Sequence, residues 1–246
     1  MKLALIVLLS GMVSLCIAQG KEGVITYEST MRIDVSRFPQ EMKGMIPPER
    51  KSKNQLFFNK QEAIYKVMKE EEDINQEVTA GDGARIQFRM RGAADNESYT
   101  NLEEGSTVDR TEFFGRTFLI DGGEEIEWKI TSEMEAIAGY QCMKAIYMRD
   151  TVPIAAWFTP QIPVSLGPAE FSGLPGMVLS VDINNGQRTI KVTKVELRPL
   201  TDNEIIVAPS KGKKVTRKEF REIQAEKMAE MQEMNGGRGG AFIIRN

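Results

Sequence analysis

The sequence predicts a mainly β fold: a strongly curved antiparallel sheet or partial barrel with one C-terminal helix, a β-sandwich being the alternative. Three observations carry this. About ten to twelve short segments alternate apolar and polar residues, the period of a half-buried strand. Turn-forming Gly, Asn and Asp join them at hairpin spacing. No strand–helix–strand alternation occurs, which argues against a parallel α/β sheet.

The chain opens on an address rather than on the fold. Lys2 is the only charge before Lys21, and it precedes the apolar run Leu3 to Ile17. A basic start, a short apolar core and the small Ala18 make residues 1–18 a secretory signal cut before Gln19. Leu15 before Cys16 disfavours cleavage at a lipidated cysteine. The mature chain then keeps Cys142 alone and has no internal disulfide. No later apolar run is long enough to span a membrane. The expected location is periplasmic or secreted.

Residues 19–210 are read as the β domain. Ile25, Tyr27, Met31 and Ile33 share one face of a first strand. Pro39, Pro47 and Pro48 break residues 34–50 into a loop or single helical turn. Gln55–Asn59 and Ala63–Met68 read as two strands with a tight connection, and residues 69–83 as an acidic loop. Arg85–Met90, Ser98–Leu102, Thr107–Phe113 and Arg116–Ile120 follow as strands. Asp121-Gly122-Gly123 is turn chemistry. Ile126, Trp128 and Ile130 share a face of the next strand, and Tyr140, Cys142, Ile146 and Met148 of the one after. Val152–Thr159 is another strand. Met177–Ile183 and Arg188–Leu197 flank Asn184-Asn185-Gly186, a strong hairpin signal. Residues 211–246 change character. Thr216 and Glu219 form a capping box that starts a helix running to about Met234. A Gly-rich stretch ends it, and Ala241–Ile244 would supply a last edge strand.

Composition limits the chemistry. The 246 residues are 41% hydrophobic and 27% charged, with a net charge of −3 and no histidine. A mildly acidic chain has no general attraction for nucleic acid. Without histidine there is no Ser-His or Cys-His nucleophile, no imidazole acid–base and no His-ligated metal. Cys142 lies in an alternating strand and reads as a small buried hydrophobe. Glu124, Glu125, Glu127, Glu133 and Glu135 are the acids available for paired-carboxylate work, but such clusters are usually solvated. Ser52 and Lys53 are neighbours on a strand and point to opposite faces. Glu70 to Asp73 lacks the spacing of a calcium loop. Met228, Met231 and Met234 read as packing surface rather than a thioether metal site.

The most distinctive segment is 139–183. Pro160, Pro163, Pro168 and Pro175 fix their φ angles, while Gly167, Gly173 and Gly176 permit turns closed to other residues. The result is a rigid connection between the strand holding Trp157 and the strand starting at Met177. It reads either as a structural corner or as a preorganised rim presenting Trp157, Phe158, Phe171 and Leu174 to a ligand.

Gly173-Leu174-Pro175-Gly176-Met177-Val178 resembles the hexapeptide that names the GLPGLI family. Gly139-Tyr140, Cys142, Lys144-Ala145, Ala156-Trp157-Phe158, Ile162-Pro163 and Gly167-Pro168 are similar in pattern. The resemblance implies an exported protein of the Gram-negative envelope without an assigned activity, some of whose relatives are encoded beside outer-membrane receptors. Together these readings give an expected periplasmic binding or accessory protein, not an enzyme. It would hold an apolar ligand, a peptide or an outer-membrane partner, with Trp157, Phe158, Phe171 and Leu174 at the site. No cofactor, metal or catalytic residue is assigned. The alternative is a hydrolase working through carboxylates or a metal.

Overall fold

The computed structural model describes residues 21–37, 40–44, 46–68, 74–79, 85–90, 96–123 and 125–235. The expected signal, the acidic run 70–73, Glu124 and the last edge strand lie outside them.

Twelve strands form one sheet. They are β1 (Gly23–Arg32), β2 (Glu49–Phe58), β3 (Glu62–Val67), β6 (Glu97–Asn101), β7 (Ser106–Phe113), β8 (Arg116–Asp121), β9 (Lys129–Ile137), β10 (Tyr140–Arg149), β11 (Val152–Thr159), β12 (Met177–Ile183), β13 (Arg188–Glu196) and β14 (Lys213–Thr216). A separate hairpin pairs β4 (Ile74–Thr79) with β5 (Arg85–Met90). The spatial order is β14-β8-β7-β6-β3-β2-β1-β13-β12-β11-β10-β9, so the sheet curves without closing. Every pair is antiparallel except β14 with β8. A single open sheet sets the sandwich aside. A 3-10 turn (Val35–Arg37) and α1 (Gln40–Lys43) fill the proline-broken stretch after β1.

The apolar alternation of β1 puts Ile25 and Tyr27 on the inner face, where both are fully buried. Leu56, Phe58, Cys142, Ala145, Ala156, Phe158 and Val181 join them in the main core. The opposite face of β1–β3 holds a smaller cluster, Val24, Phe57 and Ile64, covered by Leu200 and Ile206. That cover comes from residues 197–212, which lead from β13 to β14 at the far end of the sheet. Arg198 and Glu204 clamp this strap at 2.7 Å. At Asn184-Asn185-Gly186 all three φ angles are positive, and the hairpin signal requires this of Asn185 and Gly186, the central pair of the turn closed by the Gln187 N–H on the Asn184 carbonyl.

α2 (Arg217–Asn235) begins at the capping box. The Thr216 hydroxyl accepts from the Glu219 N–H, and the Glu219 carboxylate accepts from the Thr216 N–H at 2.7 Å. Phe220 packs on Phe118 and Phe113, seating only the first part of the helix on β8. Arg217 locks that end by donating to Asp109 and to the Gly122 carbonyl. No helix among the described residues is long and apolar enough to cross a membrane.

Five elements differ from the sequence expectation. β2 begins at Glu49, six residues before the strand read from Gln55. In β10 Cys142 is buried while Ile146 and Met148, expected on its face, are exposed, because the register shifts between Met143 and Ala145. Ile74–Thr79, read as part of an acidic loop, is a strand, because the backbone of Arg85–Met90 pairs with it despite its polar composition. Ile126 and Trp128 precede the strand they were assigned to. The Trp128 N–H bonds the Ile126 carbonyl and the indole N–H reaches Ser172 at 2.8 Å, so the chain bends there and β9 starts at Lys129. β14 has four residues, too few to show a period.

Candidate functional site

The proline-rich connection between β11 and β12 folds onto the inner face of the sheet. Its segment 161–166 has a period of two: Ile162, Val164 and Leu166 are buried, while Gln161, Pro163 and Ser165 are exposed. An extended strip of this kind needs partners for its backbone. Ile162 and Leu166 supply carbonyls to Met177 and Val178, and the Ser165 hydroxyl donates to the Leu174 carbonyl at 2.7 Å. Phe171 and Leu174 then enter the core at 0% and 1% exposure. Full burial of such side chains contributes about 1.5–3 kcal/mol each. The Arg149 guanidinium lies over the Phe171 ring and pairs with Glu170. Tyr27 ties the corner to β1 by donating its hydroxyl to the Val178 carbonyl at 2.7 Å; burial pushes that phenol well above its ordinary pKa.

Two glycines make the corner possible. A Cβ on Gly176 would meet the Thr159 carbonyl oxygen at 2.2 Å, and one on Gly167 the Phe171 carbonyl oxygen at 2.0 Å. The backbone approaches itself too closely there for any other residue.

The four residues assigned to a ligand rim therefore separate. Phe158, Phe171 and Leu174 are core residues that shape the surface only from beneath. Trp157 is half-buried and faces the other side of the sheet, because Ala156 next to it points inward. On that outer face Trp157 lies opposite Lys144, and Ala155 opposite both Ile146 and Asp182. These residues bound an open depression of about 550 Å³ with Met148 and Pro153, and with Glu127, Lys129 and Asn185 at its rim. Its apolar lining stays in contact with solvent: Ile146 is 38% and Met148 57% exposed. The Lys144 ammonium sits 5.7 Å from the centre of the Trp157 ring and 2.9 Å from Glu133. A stacking platform beside an ammonium and separate carboxylates can hold a flat or apolar group and fix charged neighbours.

Sequence reasoning isolated Trp157 but not Ile146, Met148, Pro153 or Asp182 as its neighbours. Only the cross-strand register brings them together. Cys142 is fully buried, and burial foremost pushes its thiol up to about 11, with the nearby Glu135 charge adding to it against a backbone hydrogen bond. It is a poor nucleophile there. No Asp or Glu among the described residues is fully buried, and no three metal-ligating side chains gather among them.

Comparison with known proteins gives fold and little more. No curated protein matches this sequence. Two crystal forms of PNGF-II share the architecture. The first superposes with a TM-score of 0.53 at 16% identity, covering 82% of this chain and 32% of that one. The second gives 0.51 at 17% identity, with 82% and 33% covered. The chain thus spans about a third of the length of these structures. PNGF-II has a peptide-N-glycosidase-like enzyme fold. That likeness corrects the expectation that the protein is not an enzyme. The expectation rested on the absence of an evident catalytic set, missing histidine among the reasons, and such an absence does not exclude an enzyme. In sequence, residues 147–180, from β10 through the buried corner into β12, match the family described as "Protein of unknown function (Porph_ging)".

Proposed function

We propose that this chain is an exported protein of the GLPGLI type, working in the periplasm or outside the cell, that binds an extended peptide segment of an envelope partner at the Trp157 depression. One observation carries the reading. A half-buried tryptophan, a methionine and an isoleucine stay open to water around one hollow on the outer face of the sheet. Tryptophan in a hollow is the side chain most often found to dominate binding energy. The rim carries both charges, which suits a chain of mixed side chains better than a wholly apolar small molecule.

The test uses twelve-residue peptides displayed on phage and selected on the chain from residue 19 onward. Recovered peptides are expected to bind Trp157→Ala at least tenfold more weakly than the parent, with an unchanged far-ultraviolet spectrum. Peptides that bind both equally would refute the site. The likeness to PNGF-II favours a second reading, in which the chain takes part in an enzymatic reaction on glycopeptides. Release of glycan from a glycopeptide by the purified chain would support that reading.

A further inference from the structure

We infer that the free edge of β9 is a strand-addition site for a basic, extended peptide. The inference deepens the peptide-binding reading above and rests on it for the class of partner. β9 ends the sheet: β10 pairs with one side, and nothing among the described residues pairs with the other. Its hydrogen-bonding phase follows from the turn. Ala138 and Gly139 both have positive φ, 50° and 85°, which is the two-residue hairpin geometry. Ile137 and Tyr140 are then a bonded pair, and so are Glu135 and Cys142 two residues on. Met134 and Ala136, between them, turn their N–H and C=O groups to the open side.

Native sheets blunt such edges by shortness, proline or lysine. β9 has nine residues, no proline and only Lys129, and nearly all of it is exposed, with Met134 at 63%. An irregularity breaks its register between Ile130 and Met134, so the regular open edge is Met134–Ile137. The charge along the edge selects the occupant. Glu135 lies in β9, and Glu125 and Glu127 lie in the stretch that leads into it; none of the three carries an ion pair among the described residues, while Glu133 is taken by Lys144 and Lys129 is the cation of the strand. An edge-to-edge pair of two copies would crowd these carboxylates together, whereas a lysine- or arginine-bearing strand would neutralise them. Lys129 also lines the Trp157 depression, so a strand added to β9 runs along its border.

The experiment adds a capped nine-residue peptide of alternating lysine and valine to the chain from residue 19 onward. Amide hydrogen exchange is followed residue by residue. The Met134 and Ala136 amides should slow at least tenfold at saturation, with less change at Glu135 and Ile137. The glutamate-for-lysine peptide should bind at least tenfold more weakly, and Ala136→Pro, which removes one outward N–H, should weaken the lysine peptide as much. Should Ala136→Pro fail to fold, exchange in the parent protein decides. Exchange unchanged at Met134 and Ala136, or equal binding of the acidic peptide, overturns the proposal. Protection that appears only after residues 236–246 are removed, or a dimer joined through β9, overturns it too. Loss of binding in Trp157→Ala without protection at β9 removes the edge and leaves the depression. Protection at β9 with unchanged affinity in Trp157→Ala supports the edge and removes the depression.

Discussion

Replacing Gly176 by alanine should damage the fold far more than the same change three residues earlier. Gly176 has a φ of +150°, and its Cβ would stand 2.2 Å from the Thr159 carbonyl oxygen and 2.6 Å from the carbonyl carbon. Those are main-chain atoms at the end of β11, so they cannot swing aside as a side chain does. Strained backbone costs about 1–3 kcal/mol, and overpacking of a tight site about 1–3 kcal/mol more. The expected loss is about 4 kcal/mol. Gly173 is the control. Its φ is +88°, but nothing lies within 4 Å of its Cβ position. Gly173→Ala meets only the conformational term, about 1–2 kcal/mol. In a chain of this size 1 kcal/mol moves Tm by about 2–4 °C. Scanning calorimetry should therefore show a fall of about 12 °C for Gly176→Ala and about 4 °C for Gly173→Ala. Equal shifts would refute the close approach as the reason for glycine at 176.

Other consequences are as direct. Tyr27→Phe leaves the Val178 carbonyl without its buried donor and should cost about 1–2 kcal/mol by chemical denaturation; an unchanged midpoint would contradict the bond. Glu204 is held down to about 2 from 4.5, first by the Arg198 guanidinium and then by the Thr201 N–H. Its folded pKa lies below the unfolded one, so the strap's stabilisation is present above about pH 4.5 and fades as pH falls toward 2. Carboxyl NMR should show that low midpoint, and Arg198→Ala should return it to the ordinary carboxylate range. Thr216→Ala removes the hydroxyl of the capping box, so amide exchange in the first turn of α2 should quicken while the β1 amides stay protected. Equal exchange in both proteins would show that the cap does not hold the helix.

Much of the architecture was legible because burial on one face leaves a period in the sequence. β1 and β11–β13 were read this way and α2 from its capping box, and the glycines at 167 and 176 marked a corner that does need them; β10 was found as a strand, but Cys142 is buried while Ile146 and Met148, assigned to the same face, are exposed. The order of strands was not legible, since no local signal brings β6 beside β3 or β14 beside β8. The site divided for the same reason. Trp157 and Phe158 are adjacent in sequence, yet a strand sends neighbours to opposite faces. Phe171 and Leu174, apolar residues in a loop, read equally as rim or as core until the strip 161–166 is seen lying on the inner face. Ile146 and Met148 belong to an alternating strand in which Ala145 is buried and Tyr147 half-buried, and the choice of face depends on neighbours far along the chain.

The most direct test of peptide binding at the outer hollow is fluorine NMR of the chain labelled with 5-fluorotryptophan. Only Trp128 and Trp157 report, and Trp157→Phe assigns the two signals. Adding a selected peptide should move the Trp157 resonance with the same midpoint as binding and leave that of Trp128 nearly still. A bound peptide that leaves the Trp157 signal unmoved would contradict the account.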